Sequence, residues 1–181
     1  LRGLVGSEMC IRDRFKPIIY KALKNKIPVR GYISCVSHCP YENYVDPKKV
    51  GDIAHELIQM GCYEVSLGDT TGKGSSDQTS KVISECLKFL TPDKLAGHFH
   101  DTFQNALNNI KISLKYGIKT FDSSVGGLGG CPYSPGAKGN VSTEKVNNLL
   151  LSMGYKTNLN IAKIKECNKI ALNLKEHGSY E

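Results

Sequence analysis

The sequence lacks several features that would assign its class at once. None of its 181 residues lies in an apolar run as long as the roughly 20 residues that a membrane-spanning helix needs. The first residues include Glu8 and Asp13 and form no continuous apolar stretch, so they do not resemble a secretory signal. With 40% hydrophobic and 23% charged residues, we expect a globular protein without a membrane partner.

Two common site spacings are also missing. The seven cysteines include no CxxC pair, and no second pair joins Cys35 and Cys39 to complete a zinc cage. Their odd number and irregular spacing favour a reducing compartment, in which most would be small buried residues. The run GDTTGKG, residues 68–74, lacks the GxxxxGKS/T spacing, which excludes a Walker A loop.

The charge balance is basic but carries no recognition motif. The net charge is +7, which by itself would suit nucleic acid or a phosphate-rich cofactor. Most lysines, however, fall in helix-like segments, where they would form solvated faces. We therefore predict no nucleic-acid partner.

Strand and helix patterns alternate along most of the chain. This alternation predicts four βα units, a parallel sheet and a final helix. Asp46 followed by Pro47 indicates a helix start, and Gly61 indicates its end. The predicted strands are 29–35, 63–69, 95–100 and 120–125; the predicted helices are 15–25, 47–60, 77–90, 103–116, 143–153 and 159–176.

Two architectures fit four βα units. One is a small doubly wound sheet, and the other is half of a (β/α)₈ barrel, which typically has about 250 residues. Periodicity alone does not choose between them. Residues 1–14 show neither helical nor strand periodicity and resemble translated sequencing adapter, so we interpret them as a non-native scar and assign residues 15–181 to the domain.

His98 and His100 are the strongest candidates for a metal site. Residues i and i+2 of a strand point to the same face, so the two imidazoles would stand about 6–7 Å apart. The alternative is an ordinary pair of hydrogen-bonded histidines. Asp101 would orient a histidine or cap the next helix.

Two imidazoles do not complete a metal site. Asn140 could add a carbonyl oxygen, and Glu144 could contribute or steady it. We expect the remaining ligand to be a carboxylate from a strand absent from this chain. Nitrogen and oxygen ligands without thiolate favour Mg²⁺ or Mn²⁺, with Zn²⁺ or Co²⁺ as substitutes.

Asp69 and Cys131 are the candidate acid–base groups. Asp69 ends a strand, where it would either cap a turn or exchange a proton with a substrate hydroxyl. Cys131 lies in the glycine-rich stretch 126–140, which could close over a ligand and present the thiol as a gated acid or base. The alternative is a structural turn with an incidental cysteine.

Four sequence blocks resemble the 3-hydroxy-3-methylglutaryl-CoA lyase family. They are VRGYISCVSHCPYE, MGCYEVSLGDTTGKG, HFHDTFQNAL and SSVGGLGGCPYSPGAKGN, in that order, and the resemblance covers about residues 15–175. It implies a TIM barrel, of which this chain would be the C-terminal half. It also implies cleavage of 3-hydroxy-3-methylglutaryl-CoA to acetyl-CoA and acetoacetate, in leucine degradation and ketone-body formation.

The resemblance also implies roles for individual residues. His98, His100 and Asn140 would bind Mg²⁺ or Mn²⁺, and Cys131 would be a catalytic acid–base. Asp69 would lie near the substrate hydroxyl. Glu144, Gly129 and Gly130 match positions that support the glycine loop.

The resemblance leaves some features of the protein open. The family's first-strand arginine and metal-binding aspartate have no counterpart here, so we expect this chain alone to be inactive. A related acyl-CoA-dependent 2-oxoacid synthase is the rival enzyme, but GGCPY argues against it. Family members imply a homodimer, mitochondrial in eukaryotes and cytoplasmic in bacteria.

Overall fold

The structure, a computed structural model, describes residues 4–130 and 139–177, and gives side-chain surroundings for residues 13–173 within those ranges. It is an α/β fold, as predicted. The strands are β1 (Arg30–Ile33), β2 (His38–Cys39), β3 (Asn43–Tyr44), β4 (Glu64–Asp69), β5 (Leu95–Phe99) and β6 (Thr120–Asp122). The helices are α1 (Leu4–Lys24), α2 (Pro47–Gln59), α3 (Ser76–Cys86), α4 (Ala106–Lys115), α5 (Thr143–Ser152) and α6 (Ile161–His177), with 3₁₀ turns at Pro92–Lys94 and Val125–Gly127.

Four strands form one parallel sheet in the order β1-β4-β5-β6, which confirms the predicted βα units. The strands β2 and β3 form a separate antiparallel pair. Each parallel crossover needs a long connection, and the intervening helices supply it. The carboxyl ends of the four sheet strands therefore lie along one edge of the sheet.

Local capping chemistry explains where two of the helices begin. Asp46 accepts a hydrogen bond from the backbone N–H of Lys48, and Pro47 opens α2, as predicted. Ser75 and Gln78 form a reciprocal capping box at the start of α3. These contacts satisfy backbone donors that the first helical turn leaves unpaired.

The structure differs from the sequence prediction in several places, among them the end of α3, which lies at Cys86 rather than near residue 90. Helix α1 extends back to Leu4, although we predicted its start near residue 15. Once formed, a helix gains one hydrogen bond per added residue without needing an apolar stripe. The β2–β3 pair occupies a predicted loop, α4 begins at Ala106 rather than near 103, and β6 ends at Asp122 rather than at 125. The interpretation of residues 1–14 as a scar stays a prediction.

The two faces of the parallel sheet have opposite character. One face presents Val65, Leu67 and Phe99, which pack in two apolar clusters with side chains from α2, α3, α4 and α5. The other face presents polar side chains, because strand residues alternate between faces. They are Arg30, Glu64, Ser66, His98 and Asp122.

The polar face is concave. The Nη1 atom of Arg30 on β1 lies 2.8 Å from Oδ1 of Asp122 on β6, although β4 and β5 separate the two strands. Three strand spacings in a flat sheet amount to about 14 Å. Two side chains reach each other over four strands because the sheet curves toward its polar face.

Candidate functional site

The site lies on the concave face, at the carboxyl end of β5. The rings of His98 and His100 lie on the same side, with centroids 5.5 Å apart and planes inclined by 53°. This is the juxtaposition that their i, i+2 spacing predicted. His98 is partly exposed, whereas His100 is buried.

His98 has a carboxylate beside one ring nitrogen. Its Nδ1 lies 3.3 Å from Oδ2 of Asp122, within ion-pair distance. The contact does not meet hydrogen-bond geometry, and Nδ1 is buried without such a bond to any described atom. We therefore interpret it as an electrostatic contact between the carboxylate and the ring. The ring of Tyr32 contacts His98 edge-on, at a centroid distance of 6.3 Å.

His100 has a different environment. Its Nδ1 is buried and has no hydrogen-bond partner in the part of the chain described. Burial lowers the pKa of His100, and the neighbouring His98 lowers it further. Both effects favour the neutral imidazole, the form that binds a metal ion.

Asn140 joins the histidines through backbone pairing. It forms an isolated antiparallel bridge with His100, and flanking backbone bonds run from Val141 N to Phe99 O and from Asp101 N to Gly139 O. The side-chain Nδ2 donates to the carbonyl of Leu128 at 2.9 Å. This bond orients the amide and leaves its oxygen Oδ1 as the group available to a ligand.

The two ends of the glycine loop meet at the site. A Cβ at Gly139 would lie 1.6 Å from the carbonyl oxygen of Gly129, so no side chain fits there. Both carboxylate oxygens of Glu144 accept from the backbone N–H of Gly126, each at 3.2 Å. Gly130 ends the described part of this segment. Cys131 lies outside the described residues.

Asp69 is buried at the end of β4. It is in register with Phe99 rather than with a histidine, and its Oδ2 accepts from the backbone N–H of Gly74 at 2.9 Å. Oδ1 is buried with no partner among the residues described. Burial raises the pKa of Asp69 to about 6, although backbone hydrogen bonds from Gly74 and Gly72 oppose the shift. The structure therefore ties this carboxylate to the following loop, at the carboxyl edge where the backbone N–H of His100 donates to the carbonyl of Asp69.

In the described structure, Asp101 makes no hydrogen bond or ion pair with a histidine ring and does not cap α4. Its Oδ2 accepts from Nζ of Lys145 at 2.8 Å, and α4 is preceded by Asn105, which makes no side-chain cap bond. The carboxylate beside the histidines is instead that of Asp122, which sequence reasoning missed. The signal that could have found it is the acidic residue in the strand after HFH.

The described ligand set is small. The two imidazoles lie side by side and Asn140 pairs with His100 through its backbone, but the described residues include no group of three or more His, Cys, Asp or Glu side chains placed to hold a metal ion. Among those residues, too, no helix has both the length and the apolar character to cross a membrane.

The fold and site define an α/β protein of the class that carries its functional side chains at the carboxyl edge of a parallel sheet. The chain belongs to the HMGL-like family, whose family model matches residues 10–170. The resemblance inferred from the four sequence blocks is thereby confirmed.

Individual relatives agree with the family. The hydroxymethylglutaryl-CoA lyase of Pseudomonas mevalonii is 47% identical over 154 residues, which cover 85% of this chain and 51% of that protein. The crystal structure of the HMG-CoA lyase from Brucella melitensis matches with a TM-score of 0.88 at 43% identity, covering 91% of this chain and 58% of that one. An HMG-CoA lyase from Acinetobacter baumannii, solved with coenzyme A and 3-methylmalate, matches with a TM-score of 0.81 at 27% identity, covering 92% and 57%.

The chain spans about half the length of the curated relatives that it matches. Relatives from eukaryotes include proteins named mitochondrial and proteins named cytoplasmic.

Proposed function

We propose that this chain is part of a lyase that cleaves 3-hydroxy-3-methylglutaryl-CoA into acetyl-CoA and acetoacetate with the help of Mg²⁺ or Mn²⁺. The observation that carries the proposal is the side-by-side placement of the His98 and His100 rings, with Asn140 paired to His100 through its backbone. It occurs in a member of the HMGL-like family with relatives named for this activity.

We propose further that the chain is the C-terminal half of a TIM barrel, residues 15–181. Three features support this. The parallel sheet is curved, its apolar clusters lie on the helix-covered convex side, and β1 and β6 each pair on one side only in the described sheet. A parallel sheet is normally covered on both faces. In a closed barrel, four further strands would cover the concave face and use both free edges.

The metal site would use groups whose chemistry fits a hard divalent cation. Two imidazoles and one amide oxygen are available, and the buried Nδ1 of His100 has no hydrogen-bond partner among the described residues. When bound, the cation would polarise the hydroxyl and carbonyl oxygens of the substrate. We expect the missing carboxylate ligand to come from outside this chain.

The proposed cleavage reaction requires proton transfer by residues of this chain. A base removes the proton of the C3 hydroxyl, the bond between C2 and C3 breaks, and its electron pair forms the enolate of acetyl-CoA. We assign the protonation of that enolate to Cys131, delivered from the glycine loop. A closed loop would exclude bulk water from the enolate.

Asp69 is the proposed partner of the substrate hydroxyl. A pKa of about 6 is close to the value that suits proton exchange near neutral pH, and Oδ1 has no partner in the described structure. Its bond to Gly74 N would hold the carboxylate in place. Glu144, Gly129 and Gly130 would support the loop.

The partners follow from the same proposal. The substrate is an acyl-CoA, and the coenzyme A bound in the Acinetobacter baumannii structure supports this class of ligand. We propose a homodimer, in the mitochondrial matrix of a eukaryote or the cytoplasm of a bacterium.

The test is acetoacetate release from 3-hydroxy-3-methylglutaryl-CoA with Mg²⁺. We expect activity from the longer protein encoded with the preceding sequence and negligible turnover from the 181-residue chain. In the longer protein, Cys131→Ala should reduce turnover far more than Mn²⁺ affinity, whereas His100→Ala should reduce both. Substantial turnover by the short chain would contradict the half-barrel proposal, and mild, equal effects of the two substitutions would contradict the assigned roles.

A further inference from the structure

Asp122 is the most heavily contacted carboxylate on the concave face. Its Oδ2 accepts a hydrogen bond from Ser66 Oγ at 2.7 Å. Nη1 of Arg30 donates to Oδ1 at 2.8 Å and to Oδ2 at 3.1 Å. The Nδ1 atom of His98 lies 3.3 Å from Oδ2. Three different strands thus deliver their side chains to one carboxylate on a fourth.

Arg30 links this carboxylate to a second one. Its Nε donates to Oε1 of Glu64 at 2.5 Å, while Nη1 reaches Asp122 and the hydroxyl of Tyr32. Glu64 and Asp122 carry two negative charges, and Arg30 carries one positive charge. These three side chains together therefore leave one net negative charge beside the ring of His98, which attracts a cation.

Asp122 acts as a hydrogen-bond acceptor in its contacts with Arg30 and Ser66. Nη1 of Arg30 can only donate, and Oγ of Ser66 donates to Oδ2. An ionised carboxylate accepts and does not donate. A neutral imidazole whose Nδ1 faces such a carboxylate holds its proton on Nδ1 and keeps the lone pair on Nε2.

The other histidine lacks this support. Nδ1 of His100 is buried, and none of the described residues provides it with a hydrogen-bond partner. The two imidazoles therefore differ in what fixes their tautomer, although they share one face of the sheet.

We propose that Asp122 is a positioning residue that holds His98 in the Nδ1–H tautomer and so presents Nε2 as a ligand to the cation. This inference rests on the proposed metal site. Arg30 and Ser66 fix the carboxylate, and Glu64 fixes Arg30. Carboxylates behind metal-binding histidines raise ligand basicity and set ring orientation, and their loss typically weakens metal binding by about 10–100-fold.

The matched variants are Asp122→Asn and Glu64→Gln. Each removes one negative charge and one carboxylate partner of Arg30. Of the two carboxylates, only Asp122 contacts His98. Loss of a charge partner of Arg30 would therefore affect both variants, whereas loss of histidine positioning would affect Asp122→Asn alone.

The first measurement needs no metal. Nitrogen-15 spectra of the histidine side chains, recorded on the full chain above the ordinary histidine pKa of about 6.5, report the tautomer directly. The signal of His98 is assigned by its loss in His98→Gln. We expect Nδ1–H in the wild type and in Glu64→Gln, and a mixture or Nε2–H in Asp122→Asn. A wild-type His98 in the Nε2–H form would overturn the inference even if Asp122→Asn failed to fold.

The second measurement is Mn²⁺ binding by titration calorimetry of the longer protein. We expect Asp122→Asn to bind about 10–100-fold more weakly and Glu64→Gln to stay within about twofold of wild type. Equal affinity of wild type and Asp122→Asn would refute the positioning role while leaving the metal site intact. Absence of Mn²⁺ binding by the wild type would refute the metal site and, with it, the role of His98 Nε2 as a ligand. The nitrogen-15 spectra would still decide whether Asp122 holds His98 in the Nδ1–H tautomer.

Discussion

Replacing Gly129 by alanine tests whether the glycine loop positions Asn140. The backbone φ at Gly129 is +92°, and a Cβ there would lie 2.7 Å from Nδ2 of Asn140. A left-handed backbone costs an alanine about 1–2 kcal/mol. Loss of the bond from Asn140 to Leu128 costs about 0.5–1.5 kcal/mol. We therefore expect Gly129→Ala to lower the free energy of unfolding by about 2–3 kcal/mol.

The same substitution should weaken Mn²⁺ binding, since the displaced amide would carry its oxygen away from the histidines. We expect a loss of at least about tenfold, comparable with the removal of a group that orients a metal ligand. Urea denaturation measures the first effect, and calorimetric titration of the longer protein with Mn²⁺ measures the second.

Gly130→Ala is the matched control. It is the next residue, its φ is not in the left-handed region, and no described atom lies within 4 Å of a Cβ built there. We expect its stability and its Mn²⁺ affinity to fall much less than those of Gly129→Ala. If the two alanine variants behaved alike, or if Gly129→Ala bound Mn²⁺ normally, the assignment of Asn140 as a ligand held by the loop would be wrong.

Two further predictions follow from burial. The pKa of Asp69, raised to about 6 in the folded state from an ordinary 3.8, gives stability that is fully present below pH about 4 and lost as the pH rises through about 6. The free energy of unfolding should fall by about 3 kcal/mol over this pH range. Urea denaturation at a series of pH values measures the fall, and Asp69→Asn should abolish it. An equal fall in the variant would rule out Asp69 as its source. The second prediction concerns two cysteines. Burial raises the pKa of the Cys86 thiol to about 12, whereas Cys167 is exposed. Iodoacetamide should therefore label Cys167 in the native protein and Cys86 only after unfolding. Mass spectrometry of the alkylated peptides checks this order, and native labelling of Cys86 at the rate of Cys167 would contradict it.

Much of the fold could be predicted because it depends on local signals. Alternation of strand and helix patterns predicted the parallel sheet, and Asp46 with Pro47 predicted the start of α2. The shared face of His98 and His100 follows from the two-residue period of a strand, which needs no knowledge of the rest of the chain.

Features that depend on sheet register and curvature could not be predicted in the same way. The contact between Arg30 and Asp122 joins residues 92 positions apart in the sequence and forms only because the sheet bends toward its polar face. The pairing of Asn140 with His100 likewise depends on where the glycine loop returns to the sheet. Neither position carries a local pattern that indicates its partner.

The two aspartates near the histidines show why sequence proximity was misleading. Asp101 directly follows His100, but a neighbouring residue in an extended segment points away from its predecessor, and its carboxylate binds Lys145. Asp122 is 24 positions from His98 in the sequence, yet it occupies the adjacent strand in exact register with it. Directly paired residues on neighbouring strands put their side chains on the same face. The carboxylate that supports a histidine in a parallel sheet is therefore better sought at the same level of the next strand than beside the histidine in the chain.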